Sequence, residues 1–176
     1  MGVELSGGPT QDEILAISLA KMDLREGDVV ADIGCGTGKV AIAAARRAAR
    51  VIAVDRRPEA IAHAREAIMK AGCGNIDLIG GEAAEMLEGV DYLDCAFVGG
   101  SRDIERVLDL LSSRVRRCVV VNAVLLETLH RAADTLSALG FFVEVVHVQV
   151  SRSRPLAGGL MLEPINPIFI ITGRRT

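Results

Sequence analysis

Residues 29–38 read Val-Val-Ala-Asp-Ile-Gly-Cys-Gly-Thr-Gly, an apolar run that ends in an acid and continues into alternating glycines. A helix-forming run, Lys39-Val40-Ala41-Ile42-Ala43-Ala44-Ala45, follows directly. A strand, a glycine turn and a helix in this order are typical of a nucleotide-type site in a parallel sheet. Glycine lets the main chain turn sharply and approach a ligand without an intervening Cβ. We therefore expect a ligand at this turn.

A second acid, Asp55, closes the next short apolar run, residues 51–54, and lies about 20 residues beyond Gly34. This spacing places a carboxylate at the end of an adjacent parallel strand, where it can accept hydrogen bonds from a ribose diol. Two alternatives stay open: an acid at a solvated strand end, and a tight turn in a sheet that binds nothing.

The glycine loop does not match the two common phosphate-binding patterns. A dinucleotide fingerprint needs a third glycine three residues after the second, and position 39 is lysine. The chain also contains no Gly-x-x-x-x-Gly-Lys-Ser/Thr phosphate loop. The sequence therefore disfavours a nicotinamide-dependent dehydrogenase.

An apolar strand, an acid, Gly-x-Gly-x-Gly and an acid after the next strand together resemble the first two motifs of class I S-adenosylmethionine-dependent methyltransferases. The resemblance implies S-adenosylmethionine as the cofactor. It also implies that the loop surrounds the amino-acid portion of that ligand while the second acid accepts from its ribose.

The composition bounds the fold and the partners. The chain has 176 residues, of which 50% are hydrophobic and only 3% aromatic, so one domain spanning residues 1–176 with an aliphatic core is expected. Such a core is typical of a buried parallel sheet with helices on both faces. The formal net charge of −3 and the scarcity of aromatic side chains argue against a nucleic-acid partner.

The four cysteines show no Cys-x-x-Cys spacing, so we expect free thiols and no metal site. Cys95 and Cys118 lie in apolar runs and are expected to be buried. The three histidines have no metal-ligand partners nearby and are expected to be surface or packed residues. Because the sequence shows neither a signal peptide nor an apolar run of transmembrane length, we expect a cytoplasmic protein with no membrane partner.

Hydrophobic periodicity predicts an alternation of strands and helices, hence a parallel sheet with right-handed crossovers. The predicted elements are a helix from a cap at 10–13 to about Met22, strand 29–33, a helix to about Ala49, strand 51–54, a helix from Pro58 to its stop at Gly72, strands 76–79 and 93–98, helix 103–113, strand 118–121 and helix 125–138.

The tail breaks this alternation. Residues 141–150 and 167–171 are both β-type, with a polar, glycine-rich connection at 151–160 and no helix between them, so they should pair as an antiparallel hairpin. The predicted fold is therefore α/β, a Rossmann-like class I methyltransferase sandwich of three layers. Its mostly parallel seven-stranded sheet ends in the antiparallel hairpin.

Further segments resemble one family of these enzymes over nearly the whole chain. They are Gly7-Gly8-Pro9-Thr10, Val98-Gly99-Gly100-Ser101, Asn122 to Thr128 (Asn-Ala-Val-Leu-Leu-Glu-Thr), Ser151-Arg152-Ser153-Arg154 and Glu163 to Ile170. Together they resemble the decarboxylating cobalt-precorrin C15-methyltransferases of anaerobic cobalamin biosynthesis. The segment Ser112 to Arg117 departs from the Pro-Gly-Gly turn common in that family.

The resemblance implies methylation of C15 of a cobalt-precorrin, loss of the C12 acetate carboxyl group as carbon dioxide, and a homotetramer. It assigns no catalytic residue. By position, the cofactor residues are Thr10, Gly34, Cys35, Gly36, Thr37, Gly38, Asp55 and Ala83. The substrate candidates, also by position or by chemistry, are Asn122, Glu127, Arg152 and Arg154; arginines can hold acetate and propionate groups bidentately.

Several of these residues have simpler explanations. Thr10 could cap the first helix and Asn122 the helix at 125–138. Arg152 and Arg154 could be solubilising loop charges. Asp32 is expected to orient the glycine loop, or the ammonium group of the cofactor through water, rather than to act in chemistry.

Other functions remain alternatives. The first is an adenine-N1 tRNA or other RNA methyltransferase with a similar core, and another small-molecule methyltransferase stands beside it. The second is a nonenzymatic subunit that binds S-adenosylmethionine for another enzyme. The third is the dehydrogenase disfavoured above.

Overall fold

The computed structural model describes residues 10–100 and 102–175, which form six helices and nine strands. The helices α1 to α6 are Asp12–Met22, Lys39–Ala45, Pro58–Ala71, Ala83–Glu88, Ile104–Ser112 and Leu126–Ala138. The strands β1 to β9 are Val29–Ile33, Arg50–Asp55, Ile76–Gly80, Leu93–Val98, Val115–Ala123, Phe141–Val148, Ser151–Leu156, Gly159–Pro164 and Ile168–Arg175.

Seven strands form one sheet in the order β3-β2-β1-β4-β5-β9-β6. The first five strands of the chain are parallel, and β9 is antiparallel to both of its neighbours. The last pairing runs from Phe141 opposite Arg175 to Val148 opposite Ile168. The predicted antiparallel pairing of the tail, and the class I methyltransferase fold, are confirmed.

Helices cover both faces of the sheet. Helices α1, α2 and α3 pack on one face with Val30 of β1, while α4, α5 and α6 pack on the other with Ala31 of β1. Because successive side chains of a strand point to opposite faces, strands buried on both sides read as continuous apolar runs. Cys95 and Cys118 are fully buried in this core, as expected.

Three element predictions were wrong. The connection 151–160 contains most of a separate hairpin, because β7 and β8 pair antiparallel from Ser151 opposite Pro164 to Leu156 opposite Gly159. Every residue of β7 is exposed, so this strand has no buried face and no apolar alternation to reveal it. The helix α4 was not predicted, since it has only six residues. Helix α2 ends at Ala45 rather than near Ala49, and Ala48 already lies in the turn to β2.

None of the helices within residues 10–100 and 102–175 is both long and apolar enough to cross a bilayer.

Candidate functional site

The glycine loop lies where the strand order of the sheet changes direction. Strand β1 has β2 on one side and β4 on the other, and the crevice beyond such a switch point is where open α/β sheets bind ligands. The N–H of Gly34 donates to Val54 O at 2.9 Å, and the N–H of Gly99 donates to Ile33 O at 2.8 Å. The ends of β1, β2 and β4 are therefore joined at the loop.

Gly34 is held close to the loop that follows β4. Its φ of +72° is in the left-handed region that favours glycine, and a Cβ at this position would lie 2.9 Å from the backbone nitrogen of Gly100. Neither a β-carbon nor a larger group fits there. Gly34 and Gly99 thus form a ridge without side chains.

Two cavities meet at this ridge. The larger, of about 600 Å³, is lined by Thr10, Gln11, Ile14, Asp32, Gly34, Cys35, Gly36, Thr37, Lys39, Val40, Arg57, Phe97, Gly99, Asn122, Val124, Ile165, Asn166 and Ile168. The smaller, of about 370 Å³, is lined by Ile33, Gly34, Val54, Asp55, Arg56, Arg57, Gly81, Glu82, Ala83, Gly99, Gly100, Arg102 and Val107. An elongated ligand can therefore lie across the ridge with one end in each cavity.

Most of the predicted cofactor residues lie at these cavities. Thr10, Cys35, Gly36 and Thr37 line the larger cavity, Asp55 and Ala83 the smaller, and Gly34 both. Gly38 lines neither, because its Cα faces helix α3, where an added Cβ would lie 3.2 Å from that of Ala64. The Gly7-Gly8-Pro9 part of the first motif and Ser101 lie outside the described residues.

Asp55 is buried, with 4% of its surface exposed, so the alternative of a solvated strand-end acid is wrong. Its carboxylate accepts hydrogen bonds from the backbone N–H groups of Gly36 and Arg57 at 2.9 and 3.0 Å. The guanidinium of Arg57 donates to both carboxylate oxygens, at 3.0 and 2.9 Å. Burial acts to raise the pKa of Asp55, but these hydrogen bonds and the charge of Arg57 outweigh it and hold the pKa below its ordinary value.

Asp32 is a buried carboxyl group at the floor of the larger cavity. It is 1% exposed, and neither of its carboxyl oxygens has a hydrogen-bond partner of normal geometry among the described residues. Burial raises the pKa of Asp32 to about 7, the nearby backbone N–H of Ala41 opposes the rise, and the charge of Asp55 adds to it. Orphaned buried acceptors of this kind call for a donor, and the cavity is where one can enter.

Lys39 joins the start of α1 to the start of α2. Its Nζ donates to Thr10 O at 2.6 Å and pairs with Asp12 at 2.6 Å. Thr10 is not the cap of α1, because the cap position is Gln11 and no side chain caps the helix. Lys39 thereby fixes the segment at Thr10 against the larger cavity.

Asn122 projects from the end of β5 toward α1. It contacts the hydroxyl group of Ser18 at 3.1 Å, and that hydroxyl group donates to Ile14 O at 2.8 Å, so Asn122 Nδ2 is the donor to Ser18. Asn122 does not cap α6, whose cap position is Leu125. Asn122 Oδ1 also lies 3.1 Å from the Ser18 hydroxyl oxygen, which leaves one amide hydrogen and one oxygen lone pair of Asn122 for a ligand in the larger cavity.

The other substrate candidates do not line the two cavities. Glu127 is exposed on α6 and pairs with Arg131. Arg152 pairs with Glu13 of α1 at 2.7 Å, and Arg154 lies 3.3 Å from Glu163 on the paired strand β8. Arg152 contacts helix α1 through Glu13, next in sequence to the cavity residue Ile14, whereas Glu127 and Arg154 are not brought together with the cofactor residues.

Sequence reasoning missed several cavity residues. Arg57 lies two positions after Asp55, a spacing that allows a carboxylate–guanidinium contact, and this was the available signal. Lys39 follows the last glycine of the loop, and its position there gives no sign of the contacts with Thr10 and Asp12. The aliphatic residues Val124, Ile165 and Ile168 gave no signal, since aliphatic side chains at a cavity and in a core look alike in a sequence.

The chain has the fold of a class I methyltransferase, with two adjoining cavities beyond the end of β1. A protein-family model for the precorrin methyltransferase domain matches residues 4–175, and the chain belongs to this family. A relative from Methanosarcina acetivorans, named "probable cobalt-precorrin-6B C(15)-methyltransferase (decarboxylating)", is 45% identical over 98% of this chain and 97% of its own. The family expected from the sequence motifs is therefore confirmed.

Two solved structures agree with this assignment. One, described as the precorrin 8W decarboxylase of Methanobacterium thermoautotrophicum, is 33% identical, with a TM-score of 0.93 over 97% of this chain and 95% of that one. The other, described as a precorrin-6Y C5,15-methyltransferase from Geobacter metallireducens, is 31% identical, with a TM-score of 0.92 over 99% of this chain and 93% of that one.

Proposed function

We propose that this chain transfers the methyl group of S-adenosylmethionine to C15 of a cobalt-precorrin of the 6B type, with loss of the C12 acetate carboxyl group as carbon dioxide, in cobalamin biosynthesis. The full-length likeness to a relative so named carries the proposal. The geometry supports it, because two cavities joined over Gly34 suit a two-ended cofactor, with space remaining in the larger one.

The residues at the two cavities fit S-adenosylmethionine. In the proposed arrangement, Asp55 accepts from the ribose hydroxyl groups and the N–H of Ala83, unused by helix α4 at its first position, meets the adenine edge. The loop Gly34 to Gly38 and Thr10 surround the amino-acid portion. The orphaned carboxyl group of Asp32 supplies the acceptor that an ammonium group needs.

When bound there, S-adenosylmethionine supplies an electrophilic methyl group. The residues of the chain contribute by position: without side chains, Gly34 and Gly99 let the loops after β1 and β4 pack against each other, and this contact places the two cavities side by side. Loss of carbon dioxide leaves an electron pair that the conjugated macrocycle can delocalise before a proton is added, so no protein electron sink is required.

Asn122 and Arg152 are the proposed substrate contacts nearest the larger cavity. Asn122 offers a hydrogen-bond donor and an acceptor, held in place by Ser18. Arg152 is a partly exposed guanidinium that can exchange Glu13 for an acetate or propionate group of the substrate. Arg154 and Glu127 are proposed as outer substrate contacts. The substrate reaches them only if its acetate or propionate side chains extend beyond the mouth of the larger cavity.

A homotetramer in the cytoplasm completes the proposal. Residues opposite one another in the β7–β8 hairpin share a face, so Pro155, Leu160 and Leu162 lie on one side of it and Arg152 and Arg154 on the other. Leu160 and Leu162 are 76% and 68% exposed, which favours contact with further copies of the chain. The proposal includes neither a nucleic-acid nor a membrane partner, in keeping with the negative net charge and the few aromatic residues of the chain.

The test is an incubation of the purified chain with S-adenosylmethionine, labelled in its methyl group, and a cobalt-precorrin-6B-type substrate. The expected product has gained one labelled methyl group and lost one carbon dioxide, by mass spectrometry. The matched control is Asp55→Asn, which keeps the shape of the side chain and removes its charge. Labelling of transfer RNA instead of the tetrapyrrole, or of neither, would overturn the proposal.

A further inference from the structure

Three consecutive aliphatic residues stand exposed where β5 passes into α6. Val124, Leu125 and Leu126 are 58%, 63% and 70% exposed. We call these three residues the apolar lip. Single exposed aliphatic residues are ordinary on protein surfaces, but a contiguous group beside a cavity marks a binding surface.

The apolar lip is not explained by the needs of helix α6. Leu125 occupies the cap position of that helix with extended backbone angles (φ −88°, ψ 136°) and makes no capping hydrogen bond. Serine, threonine, aspartate or asparagine at this position would satisfy a backbone N–H and stabilise the helix. The residue present is thus less favourable for folding than several alternatives, which points to a role outside the fold.

The apolar lip is continuous with the larger cavity. Val124 belongs to its wall, two residues beyond Asn122, and Ile165 and Ile168 contribute further apolar surface to the same cavity. The cavity holds about 600 Å³, and pockets of about 300–1,000 Å³ accommodate drug-sized ligands. A carboxylated tetrapyrrole is larger than such ligands, and part of the cavity is taken by the cofactor. Part of the macrocycle must therefore lie outside the cavity, over its mouth.

We propose that the apolar lip is the surface on which one face of the tetrapyrrole substrate rests, so that Val124, Leu125 and Leu126 set the affinity for the macrocycle. This inference rests on the proposed function. The chemistry is complementary: the face of a conjugated ring is apolar and suits aliphatic side chains, while its carboxylated edge suits a cation such as Arg152, which is paired with Glu13 of α1. The competing possibility is that a second copy of the chain covers the apolar lip, and the test distinguishes that copy from the tetrapyrrole.

The test compares Leu125→Ser and Leu126→Gln with the wild-type chain. Both variants are expected to raise KM for the cobalt-precorrin about tenfold, because the apolar contact is lost, with kcat and the affinity for S-adenosylhomocysteine unchanged. Leu125→Ser is expected to keep or raise the melting temperature, because serine can cap α6. If the melting temperature is kept, a lowered affinity of this variant for the cobalt-precorrin cannot result from unfolding.

A matched control is available on the opposite side of the sheet. Met69 of α3 is 69% exposed, almost the same as Leu126, and lies on neither cavity. Met69→Gln is expected to leave KM at its wild-type value.

Binding is also measured without turnover, from the change in tetrapyrrole absorbance when the substrate is added to protein loaded with S-adenosylhomocysteine. Unchanged substrate affinity in both lip variants would overturn the inference. So would a change in oligomeric state in either variant by light scattering, which would make the lip a contact between copies. If the wild-type chain bound no cobalt-precorrin while still binding S-adenosylhomocysteine, the proposed substrate itself would be wrong.

Discussion

Arg57 covers the carboxylate of Asp55 with two parallel hydrogen bonds, from Nε to Oδ1 at 3.0 Å and from Nη2 to Oδ2 at 2.9 Å. These two oxygens are the acceptors that a ribose diol needs. Arg57 lines both cavities, and its guanidinium occupies the two oxygens to which a ribose would have to donate.

Replacing Arg57 should therefore strengthen cofactor binding. We expect Arg57→Ala to lower the Kd for S-adenosylhomocysteine about three- to tenfold, because the ribose no longer competes with a charged hydrogen-bond donor. Isothermal titration calorimetry measures the change. Asp55→Asn should have the opposite effect, a Kd raised at least about tenfold, because the charged acceptor is gone. Weaker binding by Arg57→Ala would show that Arg57 itself holds the cofactor.

A methyl group at Gly34 should disrupt the close packing of Gly34 against Gly100 where the two cavities meet. Gly34→Ala places a Cβ 2.9 Å from Gly100 N in a left-handed backbone conformation, and we expect a loss of about 2–4 kcal/mol in the free energy of unfolding. Urea denaturation measures it. Cofactor binding should be lost even where the protein remains folded.

Gly72→Ala separates the strain of the backbone from the steric clash at Gly34. Gly72 has a similar φ, +65°, but no atom lies within 4 Å of a Cβ built there. We expect about 1 kcal/mol of destabilisation and unchanged cofactor binding. Equal losses in the two variants would refute a steric role for Gly34.

Asp32 should make the protein less stable as the pH rises. Its pKa is near 7 in the folded chain and near 3.8 in the unfolded chain, so the folded state binds more protons between those values. The free energy of unfolding should fall across this window, by at most about 1.4 kcal/mol per pH unit. Asp32→Asn removes this dependence. In thermal melts at pH 4 and pH 8, the melting temperature of the variant relative to that of the wild type should be higher at pH 8 than at pH 4. An identical pH profile would mean that Asp32 is ionised in the folded chain.

The ion pair of Asp28 and Arg117 should stabilise the base of the sheet. Arg117 donates to both carboxylate oxygens of Asp28, at 2.9 and 2.7 Å, and the side chain of Asp28 is only 6% exposed. Arg117→Leu leaves that carboxylate with only the backbone N–H of Arg25 as a donor and no opposite charge in contact, and we expect a loss of about 3 kcal/mol in the free energy of unfolding. Chemical denaturation tests this.

The pair Glu66 and Lys70 is the control for that measurement. It is an i,i+4 pair on α3 whose side chains are 61% and 75% exposed. Glu66→Gln should leave the free energy of unfolding close to the wild-type value, because a solvent-exposed ion pair contributes little. Comparable effects at the two sites would mean that burial of Asp28 does not matter.

Much of the candidate site could be predicted because it is encoded locally. Gly34 and Asp55 each follow an apolar run, and both are placed by the strand that ends there. Arg57 was missed although it is close in sequence, because an exposed arginine and one that covers a carboxylate have the same local pattern. The hairpin of β7 and β8 was missed because none of its residues is fully buried, and burial is what gives strands their alternation.

The sequence by itself determined the strand and helix alternation, the reversal of the last strands, and the glycine loop with its two acids. These features depend on the periodicity and backbone preferences of neighbouring residues. Only the tertiary structure decided that Gly34 touches Gly100, that Ser18 holds Asn122 across 104 positions, and that the apolar lip borders a cavity. Such contacts follow from the order in which distant strands pack, and no local pattern of residues specifies that order.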